Sequence, residues 1–345
     1  MDSTFLGQGS YGCVYKKKLR CTKDNKKTKH TNNTHLSKIY MNEKYATREI
    51  EIGKCITKIP NYEHYISPVL ENCNASLAQI SDEDLDKCNL PLIHQQTYFT
   101  TTTKYIKGQT LNVNIKEYKK AQAQAQASTN HTLDNKIFYI YTCLTKSIEL
   151  LNKHKITHFD LSERNIIMDT TDRPIIIDYG MSIKTDTIKT EEQFKDEFGY
   201  YEINNSNNNL ELYEPWCIEI ILLVHLNQMQ INTSLNKDHI KRLKSLSDTY
   251  INLLKMESLH FTQDEIAKYK ESKHDLCEKF EGITTYEASK ELMKTSAHWD
   301  QYALAIICLK HLPLDYVPRV LRTQSKRQQM IEIIKKEILE DIIVG

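Results

Sequence analysis

Three glycines within six positions, Gly7, Gly9 and Gly12, open a chain that holds only nine glycines in 345 residues. That is well below the ~7 % of average usage, so a cluster of three marks a backbone need, a place where Cβ atoms would be in the way. The flanking residues, Phe5-Leu6 before and Cys13-Val14-Tyr15 after, predict a strand, a glycine turn and a second strand over 3–16. Such a loop lets backbone N–H groups approach a polyphosphate. A dinucleotide-binding turn would continue into a helix and carry an acidic residue about 20 positions on; here Val14-Tyr15-Lys16 continues as a strand. The scarcity of glycine elsewhere excludes a collagen-like chain, a Gly/Ser linker and a glycine-rich RNA-binding tail.

Hydrophobic residues make up 40 % and charged residues 26 %, the balance of a globular chain with a buried core and one large or two smaller domains. A net charge of +1 provides no strong field toward nucleic acid or an anionic membrane, so neither is expected as a partner; the oligomeric state stays open. Nine cysteines without a Cys-x-x-Cys pair predict reduced thiols in a cytosol-like compartment, and a cytoplasmic location. Met1 to Leu6 show no cleavable signal. The apolar run Ile218 to Leu226 is far short of the ~20 residues a bilayer needs.

Along the chain, 17–34 predict an exposed basic loop, His35 to Tyr40 a third strand, and Tyr45 to Ile59 a helix that stops before Pro60. Residues 71–90 predict an irregular acidic insertion, and Gln96 to Ile106 a strand rich in Thr and Tyr. The Ala-Gln tract 121–127 is low-complexity, helical or disordered. Leu133 to His154 predict an amphipathic helix with Ile137, Ile140, Tyr141, Leu144, Ile148 and Leu151 on its apolar side. Ile166 to Met168 and Pro174 to Ile177, around Asp169-Thr-Thr-Asp172, predict a hairpin, and from about 205 the pattern is mainly helical. Strands first and helices later predict the α+β class.

Two further motifs follow the long helix: His158-Phe159-Asp160-Leu161-Ser162-Glu163-Arg164-Asn165, and Asp178-Tyr179-Gly180 at the end of an apolar strand. Phosphoryl transfer needs an acceptor for the substrate's hydroxyl proton and oxygen ligands that place Mg²⁺ on the phosphates. Asp160, Asn165 and Asp178 supply that set.

In this order and spacing the three motifs resemble the protein-kinase family. The resemblance implies a bilobal fold, with a small β-rich N-lobe carrying one helix over 1–104 and a larger, mainly helical C-lobe over 105–345, together one kinase domain. It implies ATP and Mg²⁺ as cofactors and a serine/threonine protein kinase activity on a protein substrate that stays unknown. Gly7, Gln8, Gly9, Ser10, Tyr11, Gly12 and Val14 would cover the ATP phosphates, Asp160 would be the catalytic base, and Asn165 and Asp178 the metal ligands. Lys38, in Leu36-Ser37-Lys38-Ile39, is the best candidate for the strand lysine on the phosphates. Its carboxylate partner is Glu49, with Ile52 and Ile56 at +3 and +7, while Glu51 stays open. Thr103 would be the gatekeeper and Tyr105 part of the linker against adenine. Asp300, in Trp299-Asp300-Gln301-Tyr302, resembles the family's buried Asp beneath the catalytic loop, or serves as a helix N-cap.

Several positions depart from the family. Phe159 stands where an Arg usually pairs with an activation-loop phosphate, and Ser162 where a Lys is common; Arg164 would contact the transferring phosphate instead. Glu214-Pro215-Trp216 is the nearest match to the usual Ala-Pro-Glu. The Ser-Lys-Ile strand and the Tyr-Glu-Pro-Trp element look like kinases of large nucleocytoplasmic DNA viruses, which would place the protein in host cytoplasm or a virion. A catalytically weak pseudokinase and a small-molecule kinase are the alternatives.

Overall fold

The computed structural model describes residues 4–9, 12–22, 34–40, 43–89, 97–124, 130–199, 204–206, 209–211, 215–229, 233–312 and 326–339. In chain order the elements are β1 (Phe5–Gln8), β2 (Gly12–Tyr15), β3 (His35–Tyr40), α1 (Glu43–Ile56), β4 (Val69–Ser76), α2 (Asp82–Asp86), β5 (Thr97–Lys104) and β6 (Gly108–Thr110). They continue with α3 (Leu111–Gln124), α4 (Asn130–Lys153), β7 (Ile156–Thr157), β8 (Ile166–Asp169), β9 (Pro174–Ile176), β10 (Ile183–Lys184) and α5 (Glu191–Phe198). The last are β11 (Asn204–Ser206), β12 (Asn209–Glu211), α6 (Ile218–Gln228), α7 (Lys237–Leu253), α8 (Gln263–Glu278), α9 (Thr285–Met293), α10 (Ser296–His311) and α11 (Lys326–Leu339). The chain is α+β, with a β-rich N-terminal region and a mainly helical C-terminal region. It divides into two compact units, one of residues 1–114 and 164–182, the other of 115–163 and 183–345.

The first unit is built on a five-stranded sheet in the order β1-β2-β3-β5-β4. Lys38 pairs with Val14 on one side and Thr101 on the other, and Leu36 pairs with Thr103. A Cβ on Gly12 would run into the carbonyl oxygen of Ile39, so the glycine is needed where β2 meets β3. Ala46 and Ile50 of α1 pack on Tyr40 and Val69, which docks the helix on the sheet through one apolar stripe. Strands β6, β8 and β9 form a small second sheet.

Residues 71–90 correct the expectation of an irregular insertion. β4 runs on to Ser76 as the edge strand, and a capped α2 follows, with the Ser81 hydroxyl accepting from the Asp84 N–H at 3.3 Å. Edge strands carry polar side chains on their open face, and the exposed Glu71, Asn72 and Asn74 read as loop from sequence for that reason.

The thiol expectation is also corrected. Cys13 is bonded to Cys88 and Cys21 to Cys73, and the other five cysteines form no disulfide. Cys13 and Cys88 meet inside the same buried cluster as Tyr15, Leu19 and Ile39. The first cystine ties the segment after α2 to β2 of the glycine turn, and the second ties β4 to the stretch that follows β2.

In the second unit α4 buries Ile137, Ile140, Tyr141, Leu144, Ile148 and Leu151, the predicted stripe. α10 is buried on every side from Trp299 to Leu309 and packs against α4, α11 and β7. α6 is buried at eight of its positions, seven of them apolar and the eighth Glu219, paired with the buried Lys273, a core helix inside the unit. No described helix is long and apolar enough to cross a membrane. The Ala-Gln tract is helical through Gln124, and 125–127 lie outside the described residues. Asp300 is the fifth residue of α10, whose N-cap is Thr295, so the N-cap role falls away.

Each cystine closes a long loop, with sequence separations of 75 and 52, and such bonds stabilise by about 2–4 kcal/mol. Alkylating unfolded, unreduced protein should therefore label five thiols by mass spectrometry, and reduction should lower Tm by several degrees. Nine labels would contradict the pairing.

Candidate active site

Within the first unit β3, α1 and the segment after β9 supply a charged cluster. The Lys38 ammonium donates to Glu49 Oε2 at 3.2 Å and to Asp178 Oδ1 at 3.0 Å. Glu49 lies on the buried face of α1, while Glu51, two positions on, is exposed. Helical geometry decides between them: residues two apart on a helix point to different faces.

Tyr40, two positions after Lys38 and on the same strand face, donates its hydroxyl to Glu49 Oε2 and sits 3.2 Å from Thr101 Oγ1. Sequence reasoning missed Tyr40. The period-two signal was available, because Lys38 and Tyr40 alternate around Ile39. Burial works to lower the pKa of Lys38, but Glu49 and Asp178 together hold it well above the usual value. Burial raises Glu49, against the pull of Lys38, and burial with the Glu49 charge pushes Tyr40 well above an ordinary phenol.

Asp178 adopts a left-handed backbone, φ 62°, unusual for a non-glycine residue. The Gly180 N–H reaches its Oδ1 at 3.4 Å, and the Ile177 N–H donates to the Asn165 carbonyl at 2.9 Å. Asn165 is thereby tied to the residue preceding Asp178. At the glycine turn the Gly9 N–H donates to the Gly12 carbonyl at 2.9 Å, and Gln8 Oε1 accepts from the Asn89 N–H at 2.8 Å. Ser10 and Tyr11 lie outside the described residues. Thr103 shares the strand face of Leu36 and Lys38. The Tyr105 ring lies under the Lys16 ammonium, 4.4 Å from ring centroid to Nζ.

The second unit carries Asp160 on a backbone held from several sides. Asp300 accepts the His158 N–H on Oδ2 at 2.6 Å and the Phe159 N–H on Oδ1 at 3.0 Å. The Asp160 N–H donates to His158 Nδ1 at 3.2 Å. Burial raises the pKa of Asp300, opposed by His158 and the two backbone donors. Phe159 has φ 66°, a conformation that costs about 1–3 kcal/mol for a non-glycine residue. His311 and Glu163 form a 2.9 Å pair that, with burial working the other way, keeps the Glu163 carboxyl below its usual value.

A model of the RIO domain family matches residues 97–199. RIO domains are an atypical protein kinase family. Over those residues the chain is similar to that family. The match runs from β5 to the end of α5 and takes in Asp160, Asn165 and Asp178; the glycine turn, Lys38 and Glu49 lie ahead of it. No curated protein matches the chain.

A kinase-like domain implies ATP with a divalent cation. Among the described residues no group of three or more His, Cys, Asp and Glu side chains could hold a metal by itself. The donors at hand, the Asp178 carboxylate and the Asn165 amide oxygen, are hard oxygen ligands. They fit Mg²⁺, which commonly takes one or two carboxylates together with substrate phosphates. Arg164 is exposed, in the one-turn helix between Asp160 and β8. Ser162 is buried, and its hydroxyl has no hydrogen-bond partner among the described residues.

Removing Lys38 leaves the buried Glu49 carboxylate without its cation, a loss of about 3–5 kcal/mol for a buried pair. Because burial raises Glu49, the Lys38→Met variant can take up a proton there in acid. Its deficit against wild type should be smaller at pH 5 than at pH 8, growing as pH rises above the unfolded carboxyl value. Urea unfolding at the two pH values checks this; equal deficits would contradict it.

Proposed function

We propose that the protein is a serine/threonine protein kinase that transfers the γ-phosphoryl group of ATP to a protein hydroxyl. The observation that carries this is the pairing of Lys38 with both Glu49 and Asp178, which leaves an ammonium fixed beside a candidate metal ligand. Asp160 accepts the proton of the substrate hydroxyl as its oxygen bonds to the γ-phosphorus and the bond to ADP breaks. Lys38, oriented by Glu49, holds the α- and β-phosphates. Gly7, Gln8, Gly9, Ser10, Tyr11, Gly12 and Val14 cover the phosphates, and Arg164 meets the transferring group. Thr103 and Tyr105 border the adenine. Asn165 and Asp178 would hold Mg²⁺, which supplies charge neutralisation on the phosphate oxygens.

Both compact units belong to one kinase domain, read as an N-lobe over 1–104 and a C-lobe over 105–345. The substrate is a protein, with no nucleic acid or membrane partner. The Ser-Lys-Ile strand and the Tyr-Glu-Pro-Trp element favour a viral kinase of host cytoplasm or virion. The two cystines persist more readily in an oxidising setting than in cytosol, which favours the virion of these two. Phe159 and Ser162 favour a second reading, a pseudokinase that binds nucleotide without turnover.

Purified protein with Mg²⁺ and labelled ATP should phosphorylate itself or a basic protein on serine or threonine. Asp160→Asn should lower the rate at least about 100-fold, the usual scale of a lost general base. Equal labelling by wild type and variant would refute the role of Asp160. Nucleotide binding without turnover by wild type would favour the pseudokinase.

A further inference from the structure

The residue before Asp160 is Phe159, held in a left-handed conformation that an aromatic side chain rarely adopts. Something must hold it there. Its N–H is fixed by Asp300 at 3.0 Å. Its carbonyl oxygen accepts a hydrogen bond from the indole Nε1–H of Trp216 at 2.7 Å. The two rings also pack together, 5.0 Å between centroids and tilted by 48°. Phe198 and Trp299 complete the cluster around Phe159, at 5.9 Å and 5.8 Å.

Trp216 is anchored in turn. Its backbone carbonyl accepts the hydroxyl of the fully buried Tyr250 of α7, and the apolar helix α6 begins two residues after it. Phe198 is the last residue of α5. The Phe159 ring is thus packed by the end of α5, and its carbonyl, part of the peptide joining it to Asp160, is held by a Trp216 that α7 anchors in turn. That peptide sets the direction in which Asp160 leaves the backbone.

We infer that Trp216 is a positioning residue for phosphoryl transfer: its indole N–H holds the Phe159 carbonyl and so fixes the backbone that aims Asp160. This rests on the kinase reading above. A ring that only filled space would serve equally well without its N–H. A ring that positions Asp160 must keep the donor, because loss of the hydrogen bond frees the peptide to rotate out of its strained geometry.

The experiment uses the full-length protein and compares wild type, Trp216→Phe and Asp160→Asn. Trp216→Phe keeps the aromatic packing and removes the donor. It should lower kcat about tenfold, leave KM for MgATP within twofold and change Tm by no more than a few degrees. Hydrogen exchange of the peptide spanning 156–161 should accelerate. Tyr250→Phe, which releases the Trp216 backbone, should shift kcat in the same direction by less. A Trp216→Phe protein with wild-type kcat and exchange would overturn the inference, as would a fall in kcat accompanied by an equal rise in KM and a collapse of Tm. If wild type turns over no faster than Asp160→Asn, the kinase reading fails, whereas unchanged exchange at 156–161 in Trp216→Phe refutes the clamp itself.

Discussion

The ammonium of Lys38 is the point on which the first unit turns. It joins β3, α1 and the segment that follows β9 through Glu49 and Asp178, at sequence separations of 11 and 140. An ammonium so far removed from water is tolerable only with opposite charge beside it, and two carboxylates supply more than balance. That surplus of negative charge is what a phosphate-bound cation would meet. The Lys38–Asp178 pair also explains why residues 164–182 belong with the N-terminal strands in one compact unit although 49 residues of the other unit intervene.

Much of this was legible in the sequence because each element obeys a local rule. α1 carries its apolar residues at helical spacing, and the hairpin β8–β9 turns on Asp169, which accepts from the Thr171 and Arg173 N–H groups as an Asx turn does. The motif order carried the resemblance to kinases. What stayed hidden depends on contacts between distant residues. Nine cysteines offer too many pairings for spacing to select Cys13 with Cys88. β4 looked irregular because an edge strand needs only one apolar face. The partner of Lys38 was narrowed to Glu49 or Glu51, and burial separates them. Tyr40 could have been found from its shared strand face with Lys38, had the hydroxyl been weighed as a partner for the helix carboxylate.

Phe159 shows how an apparent defect becomes intelligible. As a departure from the family's Arg it signalled only a missing contact. In the structure its ring is the centre of an aromatic cluster, and its backbone is gripped by Asp300 and Trp216. Packing against Phe198, Trp216 and Trp299 plus one indole hydrogen bond holds this residue in place. Among the described residues of the 185–295 stretch helix predominates, and α7 is tied to the Phe159 backbone through Trp216, which lies just ahead of α6.

The most direct test of the central claim is calorimetric titration of the protein with ATP in the presence of Mg²⁺ and, separately, of EDTA. One MgATP should bind per chain, and Asp178→Asn should weaken binding at least tenfold with Mg²⁺ while changing it little in EDTA. No nucleotide binding by wild type, or an Asp178→Asn protein whose affinity with Mg²⁺ equals that of wild type, would contradict the account.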